Sequence, residues 1–206
     1  MTPRSILVVT DFSELGGHAL ARAALLGAEH RAALQLVYLS APGEVPPPDV
    51  AVRLSHHALQ LRQRHQIAVQ AVSRVDCTVA DIARAAATHD LVVWGTAPQR
   101  GLRAWWGTYP ALQLLRACQR PVVVVRNAAD QTYQSLLVAV DLSQASHRLV
   151  ELGLAHHPRA RVELFHAIST ANEGKLRYAE VSERAIQIYR EQCRRHAQDR
   201  MFTLTD

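Results

Sequence analysis

The stretch ILVVTDFS, residues 6–13, decides the fold. An unbroken apolar run of this length reads as a strand buried on both faces, as in a parallel sheet. It stops at Asp11 and Ser13, residue types that make turns and cap helices. After Gly16–Gly17, ALARAALLGAEH (19–30) carries Ala and Leu at helical spacing. The opening is therefore strand, acidic turn, helix.

The pattern continues along the chain. LQLVYL (34–39) reads as a second strand, and APGEVPPPD (41–49) as a loop, because three consecutive prolines suit neither helix nor sheet interior. Residues 50–65 have amphipathic helical spacing, 67–75 alternate as a third strand, and 79–88 form a third helix. Residues 91–94 are a fourth strand, 109–118 a fourth helix, and PVVVVR (121–126) a fifth strand. Strands alternating with helices imply crossover connections and a parallel sheet covered on both faces. Ligands of such sheets sit beyond the carboxyl ends of the strands, where strand order reverses. That directs attention to residues 11–13, 39–49 and 95–108.

The opening stretch also recurs. ILVVTDFS (6–13) lies over LLVAVDLS (136–143), and LQLVYL (34–39) over VELFHA (162–167), with the order of elements kept. A repeated unit explains this. We expect a complete unit over 1–126, a polar linker over 127–134, and an incomplete second unit over 135–206. The second has room for two strands and two helices, with MFTL (201–204) as a candidate third strand. A half-sheet exposes an edge that must pack on the first unit, pair with another chain, or be completed by further sequence.

Composition narrows the function. Hydrophobic residues make up 49% and charged residues 20%, a globular balance. No apolar run approaches membrane-spanning length, and an Asp follows the first short run too soon for a secretory signal, so cytoplasmic residence is expected. Cys77, Cys118 and Cys193 are widely spaced and odd in number, which is no disulfide framework. The net charge of +5 comes from scattered arginines, with Lys175 the single lysine. No basic stripe joins an aromatic motif, so nucleic acid is not an expected partner. Of eleven histidines, His56, His57 and His65 share one predicted helix, but His57 and His65 stand two turns apart, too far for one metal. Cys193 and His196 lack a second ligand pair. No metal site is expected.

With those residues in view, the chain resembles the universal stress protein family in its tandem form. The resemblance rests on V-x-D-x-S after the first strand, DLVVWG (90–95), the glycine-bearing loop behind it, and PVVVVR. It implies an open five-stranded α/β sheet of order 3-2-1-4-5, Rossmann-like, with helices on both faces. It also implies stress-linked regulatory roles and a homodimer or intramolecular pseudo-dimer with an unidentified protein partner. One branch of the family binds ATP and another does not.

The resemblance assigns the candidate nucleotide contacts to Val9, Thr10, Asp11, Leu39, Gly95, Thr96, Arg100, Gly107 and Thr108. In the binding branch two glycines three apart are followed, after nine residues, by Gly-Ser/Thr. Here Gly95 matches, but Pro98 stands where the second glycine belongs. Only eight residues separate Pro98 from Gly107–Thr108. Phosphate cradles use backbone N–H groups at close range, and proline has none. Arg100 and Arg103 could supply forked donors in its place. Tyr109, where the family carries a small aliphatic, is expected to crowd the site. Asp11 reads equally as a base ligand or a turn residue, Ser13 more readily as a helix cap, and Trp105–Trp106 as packing or interface rather than base stacking. The expectation is a degraded cradle with no cofactor; ATP with Mg²⁺ is the alternative. No catalytic constellation is visible, neither a nucleophile elbow nor a Walker loop. At most slow ATP hydrolysis is expected.

Overall fold

A computed structural model of the chain describes residues 2–40, 45–72, 78–95, 110–170 and 172–204. The chain divides into two compact units, Thr2–Thr132 and Tyr133–Asp206. In the first unit the elements are β1 (Ser5–Thr10), α1 (Glu14–His30), β2 (Ala33–Tyr38), α2 (Val50–His65), β3 (Val69–Ala71), α3 (Val79–Ala86), β4 (Leu91–Gly95), α4 (Pro110–Ala117) and β5 (Val122–Val125). The five strands form one sheet of order β3-β2-β1-β4-β5, and every pairing is parallel. This is the expected order.

Alternation within the buried strands explains the layering. Ile6, Val8, Leu34, Leu36, Tyr38 and Val93 point to one face and pack with Ala19, Leu20, Ala23 and Leu26 of α1 and with Leu54 of α2. Leu7, Val9, Val37, Val92 and Trp94 point to the other face, where Ile82 and Ala86 of α3 and Leu114 cover them. Period-2 side chains in strands buried on both sides require such a double layer.

Two boundaries differ from the sequence expectation. The first helix begins at Glu14, so Gly16 and Gly17 lie inside it. Ser13 caps it by accepting from the Gly16 amide, and that bond starts the helix before the apolar periodicity becomes visible. The third strand is Val69–Ala71, shorter than residues 67–75; residues 73–77, Cys77 among them, lie outside those described. α3 opens with a reciprocal cap: Thr78 accepts from the Asp81 amide while Asp81 accepts from the Thr78 amide. Thr78→Ala should cost about 1 kcal/mol of unfolding free energy. A urea titration that shows no change would deny the cap its role.

The second unit contains β6 (Ser135–Ala139), α5 (Gln144–His156), β7 (Arg161–Phe165), α6 (Glu173–Tyr178) and α7 (Glu183–Phe202). β6 and β7 pair in parallel from Ser135↔Arg161 to Ala139↔Phe165. Val138, Val140 and Leu142 pack with Ala197 of α7. The opposite face is open, with Leu137 62% and Phe165 52% exposed. The expected third strand at 201–204 is not formed: Met201 and Phe202 end α7, and Thr203 and Leu204 turn after it. Ser182 caps that helix, which runs on for 20 residues and absorbs the short apolar run into its last turn. Three helices, rather than two, occur among the described residues of this unit. Glu173 of α6 accepts from Arg190 of α7 at 2.9 Å, which holds its carboxyl below the usual range.

Candidate functional site

The carboxyl end of β1 lies between β2 and β4, with Val9 paired to Val37 and Trp94 and Thr10 paired to Tyr38. This is where the strand order reverses, the expected ligand position in such a sheet. Val9 and Thr10 are fully buried, Leu39 is nearly so, and Asp11 is exposed. The Leu39 amide donates to the Thr10 carbonyl at 3.0 Å, which brings the end of β2 beside the turn.

The turn satisfies itself. Asp11 Oδ1 accepts from the Ser13 amide at 2.9 Å and from the Ser13 hydroxyl. Thr10 Oγ1 accepts from the Phe12 amide at 3.1 Å. Ser13 Oγ accepts from the Gly16 amide. Phe12 is in the left-handed region, at φ 61°. These bonds are those of an Asx turn running into a helix cap.

The glycines have packing reasons. A Cβ on Gly95 would lie 1.8 Å from the Leu15 carbonyl oxygen, a backbone atom of α1's first turn. A Cβ on Gly16 would lie 2.6 Å from Thr10 Oγ1 and 2.7 Å from Asp11 Oδ1. Gly95 therefore lets α1 settle on the end of β4, whatever the loop beyond it does.

A second turn of this kind stands at the end of β6. Asp141 Oδ1 accepts from the Ser143 amide at 2.9 Å, and Leu142 has φ 61°. Ser146, in the place Gly16 holds in the first turn, donates its hydroxyl to Asp141 Oδ1 at 2.9 Å. The Ser143 hydroxyl above all, with the Ser143 amide and the Ser146 hydroxyl, brings the Asp141 carboxyl down to about 2.

Of the expected contacts, the structure brings Val9, Thr10, Asp11, Leu39 and Gly95 together around the β1 end. Thr96, Arg100, Gly107 and Thr108 lie outside the described residues, as do Pro98, Arg103, Trp105, Trp106 and Tyr109. His56, His57 and His65 do lie on α2. Among the described residues no group of three or more His, Cys, Asp or Glu is placed to hold a metal ion. None of their helices is long and apolar enough to cross a membrane.

Sequence reasoning passed over Phe12. Its ring stacks on Tyr38 at 5.0 Å and on His57 at 5.8 Å, with the Arg53 guanidinium 4.1 Å above it. The available signal was an aromatic between Asp and Ser, with Arg and His four apart on the helix that follows the second strand.

Comparison with known proteins fits this geometry. No curated protein matches the chain. Among solved structures, a universal stress protein from Archaeoglobus fulgidus aligns with TM-score 0.68 and 14% identity, over 87% of this chain and 71% of that one. A functionally unknown protein from Pseudomonas aeruginosa aligns with TM-score 0.60 and 25% identity, over 96% of this chain and 70% of that one. A universal stress protein solved in complex with cAMP aligns with TM-score 0.53 and 17% identity, over 62% of this chain and all of the other. The model of the universal stress protein family matches residues 3–126, more than half the chain. With the sheet order and the acidic turn at its switch point, that match places the chain in the universal stress protein family.

Proposed function

We propose that this chain is a regulatory and interaction protein of the stress response whose adenine-nucleotide cradle is weakened or lost. The observation that carries the reading is the self-satisfied Asp11 turn and its twin at Asp141. The second turn serves a two-stranded sheet with no further strand among its described residues. A turn built twice, once without a phosphate loop in the described part, acts first as the turn that leads from strand to helix. Gly95 likewise answers to packing. In the loop beyond, Pro98 removes a backbone donor that the binding branch supplies, and the spacing to Gly107 is one residue short.

The second unit is, on this reading, an incomplete copy of the first. The shared turn geometry and the parallel β6–β7 pair support it. So does the alignment of nearly the whole chain onto part of a longer Pseudomonas aeruginosa protein. The exposed Leu137 and Phe165 face and the open edge of β6 suit protein contacts, as a homodimer, a pseudo-dimer within one chain, or with another protein. The chain acts in the cytoplasm, without nucleic-acid or membrane partners. It has no catalytic role beyond slow ATP hydrolysis and carries no resident cofactor.

The competing reading is an ATP or adenine-nucleotide sensor, with Mg²⁺, using Asp11, Leu39 and the 95–108 loop. It is favoured by the exposed Asp11 at the switch point. Thermal unfolding with 1 mM ATP and Mg²⁺ separates the two. A site with Kd near 10 μM would add about 2.7 kcal/mol, or roughly 5–10 °C in Tm. The present reading predicts a shift below about 1 °C, which at 2–4 °C per kcal/mol means less than 0.5 kcal/mol of linkage. A shift of several degrees that Asp11→Ala abolishes would establish the sensor instead.

A further inference from the structure

Phe12 sits between Asp11 and Ser13 with φ 61°, the value Leu142 also has in the second turn, and its side chain has surroundings of its own. Those surroundings are specific. The Tyr38 ring of β2 stacks on it at 5.0 Å with 27° between planes. The His57 ring of α2 stacks at 5.8 Å and 24°. The Arg53 Cζ lies 4.1 Å over the same ring. Arg53 and His57 are four residues apart and so share one face of α2. The second turn has Leu142 at this place, which offers no ring, so the arrangement belongs to the first unit.

Among the described residues, the charged groups that act on His57 are His56 and Arg53, both basic. Arg53 and His56 flank it on α2, with the His56 ring 6.3 Å away. From β2 comes the Tyr38 phenol, beyond the Phe12 ring. From the β1–α1 turn comes Phe12 itself, while the nearby Asp11 directs Oδ1 to Ser13. A neutral imidazole stacks on Phe12 with no charge to desolvate. A protonated one adds a second positive charge beside Arg53, in a half-buried place where water screens it poorly.

We infer that α2 clamps the Asp11–Ser13 turn through the stack on Phe12, and that protonation of His57 loosens this clamp. Burial, followed by His56 and Arg53, holds the His57 pKa below its ordinary 6.5. The folded state thus takes up the proton less readily than the unfolded chain. The clamp's contribution is complete above 6.5 and is lost as pH falls from there through the lowered folded value. A device of this kind makes the presentation of Asp11 respond to acidification, with or without nucleotide.

The test uses NMR on the full chain without ligand, following the His57 imidazole and exchange of the Phe12 amide from neutral to mildly acidic pH. His57 should titrate below 6.5. Phe12 exchange, corrected for its intrinsic pH dependence, should speed up roughly threefold or more over the same range, as expected of a local opening linked to a proton. His57→Gln should make the corrected exchange flat with pH. Arg53→Gln, which keeps the imidazole, should move the His57 midpoint upward. Flat wild-type exchange, an unchanged acid response in His57→Gln, or a His57 midpoint indifferent to Arg53→Gln would each overturn the proposal.

Discussion

Gly95→Ala is expected to lose at least about 3 kcal/mol of unfolding free energy, or to yield no folded protein, because overpacking against backbone cannot be relieved by a rotamer. The added Cβ would lie 1.8 Å from the Leu15 carbonyl oxygen and 2.4 Å from its carbon. β4 is bound on both sides, to β1 and to β5, so it cannot retreat without giving up ladder bonds. The matched control is Gly17→Ala in α1, where an added Cβ meets nothing within 4 Å. Removing a helical glycine should raise stability by about 0.5–1 kcal/mol. Urea unfolding of the two variants beside the wild type reads both effects. A Gly95→Ala protein within about 1 kcal/mol of wild type, no more than the low end of the usual cost of overpacking, would show that α1 and β4 are not in this contact.

Asp90→Ala should produce the next largest loss. Asp90 Oδ2 accepts from the Arg4 amide at 2.9 Å, the Ser5 amide at 3.1 Å and the Ser5 hydroxyl at 3.0 Å. The Asp90 amide in turn donates to the Ser5 carbonyl at 3.0 Å. This clasp joins the amino ends of the central strand β1 and its neighbour β4. Bonds to a charged acceptor contribute about 1.5–3 kcal/mol when sheltered, and partial exposure argues for the lower part of that range. The Arg4 amide chiefly, with the Ser5 hydroxyl and amide and Arg120, holds the Asp90 carboxyl below its ordinary value of 3.8 against the opposing effect of burial. A depressed folded pKa stabilises the fold above the unfolded value, and that contribution disappears as pH falls through the folded one. Wild-type stability should thus decline below pH 3.8 more steeply than that of Asp90→Ala. Parallel acid profiles for the two proteins would remove the clasp from the account.

Much of the first unit was legible in the sequence because its strands are buried on both faces. Runs such as ILVV, LVVW and VVVV have few alternatives to a parallel sheet, and the helices between them fix the crossovers. The α2 bounds were read as they stand, since that helix carries an amphipathic pattern behind a proline-rich loop. The start of α1 was hidden, because glycines count against a helix until one sees that the turn's own oxygens leave no room for a Cβ at Gly16. MFTL misled because four apolar or β-branched residues suit a strand equally well as the last turn of a long helix. At the site, Asp11 and Leu39 were legible from their place after a strand. The stack on Phe12 was not, since it joins residues from three separate elements through side-chain orientation.

The central claim is that the mouth between β1 and β4 no longer retains a triphosphate. Native mass spectrometry of the full chain, purified without added nucleotide and then titrated with ATP and Mg²⁺, tests it most directly. The account predicts nucleotide-free protein throughout, with saturation absent at concentrations well above 10 μM, the affinity equivalent to about 7 kcal/mol. Co-purified adenine nucleotide, or stoichiometric ATP uptake at low micromolar concentration that Asp11→Ala removes, would contradict it.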